Sequence, residues 1–278
     1  MLTRVLGALA RAFLVFLLVT MPALMMPGIA TETAQIVLLF AFFAALLTVI
    51  EYSARYPGLI EFRYAPPYNR IRFLALFLIV LMLSAIARAQ HEPGTLTLFV
   101  QAVGTLIGQS MDFPYSPVRL VTLMLPASSS AEHVLLVRSA AGISYFVSLF
   151  MLIVFVCSLR IGGWPARHNA FNVWVNLPTF DPTAGGDVVL RLERDAMLNI
   201  ALGFFLPFLI PALILTVSVT VRPVTLTDPQ TLVWTVAAWA FLPATLLMRG
   251  VALSRIARMI REKRRRNGDT EGAALQPV

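Results

Sequence analysis

The stretch from Arg160 to Asp195, RIGGWPARHNAFNVWVNLPTFDPTAGGDVVLRLERD, is the longest polar interval between two hydrophobic spans. It holds four of the arginines and four of the 14 acidic residues, and the sequence on either side of it reads as membrane. Phe171, Val173, Val175 and Leu177 alternate with Asn172, Trp174 and Asn176. A period of two predicts a short extended segment with one apolar edge. Pro178, Asp181-Pro182 and Gly185-Gly186 then end it and fold the chain back. A helix is expected from Asp187, whose carboxylate can accept from first-turn amides. Asp187 precedes Arg191 by four residues and Arg191 precedes Asp195 by four, so both pairs fall on one helix face. Two readings of this loop stand side by side. One is a solvated connector with an interfacial tryptophan. The other is a docking or site surface built from Trp174, Asp181, Asp187 and Arg191.

Composition sets the solvent. The chain of 278 residues is 58% hydrophobic and 13% charged, with a mean hydropathy of +0.80. A soluble domain carries about 25% charged residues, so lipid must cover much of this surface. The formal charge of +8 is nearly all arginine, Lys263 being the only lysine. These arginines flank apolar spans and form no aromatic-interleaved patch, which points to a membrane surface and away from nucleic acid. The single cysteine, Cys157, excludes an internal disulfide and is expected as a small apolar packing residue.

Working outward, six spans are expected, at about 7–27, 34–51, 71–87, 135–159, 196–221 and 230–249. The fold class is therefore all-α, a polytopic integral membrane protein with one membrane domain over 1–266 and a disordered cytoplasmic tail over 267–278. The N-terminal span, with Arg4 and Arg11 ahead of an apolar run, also has the form of a cleavable signal peptide. Residues 93–111 carry no charge but alternate apolar and small polar faces. They are expected to lie on the outer surface as an amphipathic helix, to dip in and return, or to cross. Gly104 and Gly108 within them form a G-x-x-x-G pair suited to close helix packing. Ser129 with Glu132 reads as a capping box for the fourth span. Pro207 and Pro211 are expected to bend the fifth span, with the freed carbonyls turned toward neighbouring helices. Beyond the sixth span, Arg258, Arg261, Lys263, Arg264, Arg265 and Arg266 lie on an amphipathic segment expected to rest on anionic headgroups.

With the N-terminus inside, 18 Arg and Lys fall on one side and four (Arg88, Arg119, Arg138 and Arg222) on the other. This bias puts both termini in the cytoplasm, and the arginine-for-lysine usage suggests a bacterial inner membrane. The span cores read as free of ionisable groups, which argues against ion-coupled carriers and proton pumps. No nucleophile elbow, zinc-protease or nucleotide-loop motif occurs. No cofactor or metal site is expected, the histidine pair His91 and His133 at the outer helix ends lacking a clustered third ligand.

Three function classes fit. The first is a non-catalytic accessory, an assembly or scaffold factor for other membrane-protein subunits. The second is a channel or carrier for an uncharged or amphipathic solute, with Gln101, Thr105, Ser144, Ser148 and Asn199 converging on a path. The third is a lipid-headgroup enzyme, with Asp181, Asp187, His168 and Arg191 gathered at the cytoplasmic interface.

Overall fold

The computed structural model describes residues 2–55, 58–162, 164, 176–181, 185–218 and 225–274, with side chains from 5 to 267 of these. Trp174, His168 and the alternating residues 171–175 lie outside the described residues. Eight helices are described: α1 Leu2–Met25, α2 Thr31–Ser53, α3 Tyr68–Ala89, α4 Thr95–Met111, α5 Pro117–Leu123, α6 Ala131–Gly162, α7 Val188–Ser218 and α8 Pro229–Ala274. Six of them, all but α4 and α5, are long and apolar enough to cross a bilayer. The chain is a multi-pass helical membrane protein.

The six long helices alternate in direction, which gives the bundle two unlike ends. The basic end gathers the start of α1, the ends of α2 and α6, the starts of α3 and α7, and the C-terminal half of α8. The opposite end holds α4 and α5. Helices α7 and α8 form the most extensive pair, α3, α6 and α8 pack mutually, and α2 packs against α1. Helix α2 buries only Ala41, while Phe40, Phe42 and Phe43 point outward. Such a face is stable only against lipid or another apolar surface.

Small residues set the closest crossings. A Cβ on Gly108 would lie 2.8 Å from the Arg138 carbonyl oxygen, and one on Gly142 would lie 2.4 Å from the Gly108 Cα. Gly104 faces Ile86 and Ser139. Helix α4 thus crosses α6 over residues 138–142, within roughly 17 Å of the start of α6 at 1.5 Å per residue. In α7 and α8, Gly203 meets the Pro243 carbonyl and Gly250 meets that of Ala196, at 2.7 and 2.8 Å from a built Cβ. Two backbones can approach this closely only where no side chain intervenes.

Pro207 and Pro211 are both buried inside the continuous α7. Proline 211 has no N–H, so the Pro207 carbonyl loses its helical donor. The indole of Trp239 in α8 donates to that oxygen at 3.1 Å.

Several local expectations need correction. Helix α6 begins at Ala131, and the hydroxyl of Ser130 accepts from the His133 amide at 3.2 Å. The cap is therefore Ser130, one residue later than the Ser129–Glu132 box. Cys157 is exposed on α6, because its helical position faces outward. Helix α8 runs unbroken to Ala274, past residue 267, where a disordered tail was expected. The run up to Arg266 is made of good helix formers and carries the helix on across Gly268 and Gly272, which are poor ones, and the 46 residues of α8 extend about 69 Å, well beyond the roughly 30 Å of a hydrocarbon core.

That overhang is folded against the protein. Leu253 and Ile256 of α8 join Leu192 of α7, Leu177, Trp164, Phe62 and Tyr68 in a second apolar cluster at the basic end. The central stretch is thus partly core: Trp164, Leu177 and Phe180 are all buried. Phe62 anchors the cluster, with its ring 4.3 Å from Tyr68 and 5.7 Å from Trp164. Its backbone sits at φ 54°, an uncommon conformation for a non-glycine residue. Two links to the central stretch hold it: the Phe62 amide donates to the Asn176 carbonyl at 2.7 Å and the Tyr64 amide to the Asn176 side chain at 3.1 Å.

Candidate functional site

The start of α7 shows what Asp181, Asp187 and Arg191 do. Asp187 caps the helix, accepting from the Val189 amide at 2.9 Å, and pairs with Arg264 of α8 at 2.9 Å. The capping amide and then the Arg264 guanidinium hold its carboxyl below the usual range. Arg191 lies 4.8 Å over the Phe180 ring and donates to the Asp181 carbonyl at 2.9 Å. Together with Arg261 on Glu193, these contacts fasten α8 and the central stretch to α7. They are the contacts of a scaffold. Among the described residues no group of three or more His, Cys, Asp or Glu is placed to hold a metal ion.

Arg258, Arg261, Lys263, Arg264, Arg265 and Arg266 are all exposed on the overhang. Arg258 also lines a groove of about 280 Å³ with Arg160 and Arg255. At the opposite end His91 and His133 border a shared cavity of about 190 Å³ with Glu132. His133 Nε2 lies 2.7 Å from the Thr225 carbonyl and His91 Nδ1 3.4 Å from that of Ala87. Of the polar residues expected to line a path, Ser144, Asn199 and Thr105 bond to neighbouring groups, whereas the buried Ser148 hydroxyl has no partner among the described residues. Ser144 donates to Ala140 O at 2.7 Å, Asn199 to Asp195 O at 2.7 Å, and Thr105 lies 3.2 Å from Ser139 Oγ at the α4–α6 crossing.

The most developed concavity was not foreseen. A cleft of about 790 Å³ opens between the α1–α2 hairpin and α3 with α8, within the size range of small-molecule sites. Its inner walls are apolar: Leu14 and Val15 of α1, Phe73 and Leu76 of α3, Phe241 and Leu246 of α8. Its mouth, at the basic end, carries Arg11, Arg70, Arg72 and Arg249 against the single acid Glu61. Phe241 lies eight residues before Arg249 on α8, so the cleft runs about 12 Å along that helix from charge to apolar interior.

Helix starts and ends put these side chains at one level. Arg72 is in the second turn of α3, Tyr52 in the last turn of α2, and Arg249 is 20 residues into α8, about 30 Å from its start. That is one hydrocarbon thickness. The loop from Gly58 to Pro67 supplies Glu61. It is held at one side by Glu51, whose carboxylate accepts from the amides of Gly58, Leu59 and Ile60 at 3.1–3.3 Å. Arg63 donates to the α2 C-terminal carbonyls of Glu51 and Ala54, which have no helical donors of their own.

Glu61 and Arg249 form a two-point pair, with Nε to Oε2 at 2.7 Å and Nη2 to Oε1 at 2.8 Å. Thr179 adds a third bond to Oε1 at 2.7 Å. Burial opposes the charge on Glu61, but the hydrogen bonds and positive field of Arg249 outweigh it and hold the carboxyl below its usual value. Arg11 stacks 4.7 Å over Tyr52, and Arg72 lies 5.2 Å over Tyr68. The Nε of Arg72 is buried and has no hydrogen-bond partner. A buried donor of that kind is costly unless an acceptor reaches it.

One signal for this site was present in the sequence: Glu61 is the lone acid between Arg55 and Arg72, a region otherwise basic. Its partner Arg249 lies 188 residues away, a separation that no local pattern links. No family model matches the chain, and no significant match is found among curated proteins or among solved structures.

Proposed function

We propose that this chain is a non-catalytic membrane protein that accommodates an amphipathic solute in the cleft between the α1–α2 hairpin and α3 with α8. The observation that carries this reading is the cleft's one-ended polarity, arginines at the mouth and apolar walls inside. A solute with a polar end and a hydrocarbon end matches that arrangement, whereas a small polar solute leaves the walls dry. The reading belongs to the carrier class among the three. The lipid-headgroup enzyme loses its support because Asp187 and Arg191 are engaged in holding α7, α8 and Phe180 together.

The proposed setting is a bacterial inner membrane, from the use of arginine almost to the exclusion of lysine, with both termini cytoplasmic, from the 18-to-four distribution of Arg and Lys. The cleft mouth then faces the cytoplasmic headgroup region.

The test is retention of a long-chain amphiphile by the purified chain in mild detergent, followed by native mass spectrometry. Filling the interior with Leu76→Trp is expected to abolish retention without unfolding the chain. Retention that survives the filled cleft would overturn the reading.

A second reading, an accessory subunit, draws on α2, which among the described helices packs only on α1 and leaves its phenylalanines outward. A photocrosslinker replacing Phe43 separates the two coverings of that face. One discrete protein adduct in native membranes supports a partner subunit; lipid adducts alone count against it.

A further inference from the structure

We infer that the polar end of the solute is an anionic phosphate-bearing headgroup, seated among Arg11, Arg72 and Arg249. This inference rests on the proposed occupancy of the cleft by an amphiphile and names the chemistry of its head. Four arginines against one glutamate line the mouth, a net excess of three positive charges (4 − 1). Glu61 is fully committed, receiving two bonds from Arg249 and one from Thr179. The hydrogen bonds to its carboxylate all come from Arg249 and Thr179, so Arg11 and Arg72 make no ion pair with it and Arg72 feels it only through space. Arg72 supplies the specific argument. Its Nε is buried without an acceptor, although its guanidinium lies beside the Tyr68 ring. Arg72 lines the cleft, and because its Nε is shielded from solvent as the side chain stands, an acceptor seated in the cleft reaches that donor once the guanidinium turns toward it. A phosphate oxygen is the fitting acceptor, because guanidinium donors match its geometry at two points. The same position lies about one hydrocarbon thickness from the far end of α8, which is where the phosphate of a bilayer lipid resides. The walls below take the acyl chains.

The experiment uses the full chain in mild detergent with three added lipids of identical chains: phosphatidylglycerol, phosphatidylcholine and diacylglycerol. Retention is read by native mass spectrometry, with inorganic phosphate as a competitor. Phosphatidylglycerol is expected to be retained about tenfold better than the other two, and Arg72→Gln to remove about tenfold, the scale of one charge-assisted hydrogen bond. Arg265→Gln, on the exposed overhang, is expected to leave retention unchanged. Arg11→Gln gives an independent reading at the same mouth should Arg72→Gln fail to fold. Equal retention of all three lipids, abolished by Leu76→Trp, would overturn the headgroup inference while leaving the amphiphile reading intact. Retention of none by the unmodified chain would overturn both. Displacement of the lipid by millimolar inorganic phosphate would reassign the site to free phosphate, and a loss on Arg265→Gln equal to that on Arg72→Gln would reduce the effect to general surface charge.

Discussion

Neutralising Glu61 removes the acceptor that holds Arg249, a cation whose side chain is only 26% exposed. Glu61→Gln keeps the shape and one acceptor oxygen but loses the charge. It is expected to lower stability at neutral pH by about 2 kcal/mol, the scale of hydrogen bonds to charged groups, seen as a drop of a few degrees in thermal unfolding in detergent. The pH dependence has a defined sign. Because the folded carboxyl ionises below its ordinary value of 4.5, its contribution is complete above that value and is lost as pH falls through the lower folded one. Melting curves of the native chain and Glu61→Gln should therefore converge as pH drops below 4.5; a gap that widens with acid would contradict the pairing. Trp239 makes a second prediction at this scale. Trp239→Phe leaves the Pro207 carbonyl with neither its helical donor nor the indole, and a buried unsatisfied acceptor costs about 1–3 kcal/mol. A chain as stable with phenylalanine there would show that the oxygen finds another donor.

Between elements, glycine decides where helices can touch. Gly142→Ala puts a methyl 2.4 Å from the Gly108 Cα, and Gly108→Ala puts one 2.8 Å from the Arg138 oxygen. Backbone cannot rotate aside as a side chain can, so α4 must shift off α6, at about 1–3 kcal/mol for overpacking. Gly162→Ala is the control, since a Cβ there meets nothing within 4 Å. Cysteine cross-linking between α4 and α6 should lose efficiency in the first two variants and not in the third. The same pairs mark how far sequence reasoning reaches. The spacing of Gly104 and Gly108 is local and visible, and so are the six apolar runs, because lipid enforces length and hydropathy within each helix. Gly142, Gly203 and Gly250 went unremarked, since a lone glycine in an apolar helix has no periodic signature and acquires meaning only from its neighbour. The amphipathic segment past residue 249 was legible, but what its apolar face packs against was not. Its polar sequence resembles a surface helix, and only the burial of Leu253 and Ile256 against α7 shows that it is core.

Taken over the whole molecule, charge and packing divide the bundle unequally. The basic end has a second apolar cluster, bracing ion pairs from Arg261 and Arg264, and the largest cleft described. The opposite end is closed by two short helices, where Asp112 gathers Arg119 and Arg138 at 3.1 and 3.4 Å. Two of the four basic residues assigned to that side thus share one buried acid. The orienting rule counts Arg and Lys whether or not an acid pairs them, so the 18-to-four asymmetry stands as read from the sequence. The cleft and the orientation are then linked. If the basic end is cytoplasmic, the arginines of the mouth meet the leaflet richer in anionic lipid; if it is not, the same arginines face a surface with less to offer them. Reporter fusions test this directly. Fusions after Gly185 and after Ala274 should report from the cytoplasm, and fusions after Ser129 and after Asp228 from the other side. Replacing Arg261, Lys263, Arg264, Arg265 and Arg266 together with glutamine should weaken that preference without inverting it, because eight basic residues of the loops and helix starts from Arg55 to Arg194 still face the same way. A complete inversion would place control of topology in the C-terminal overhang alone.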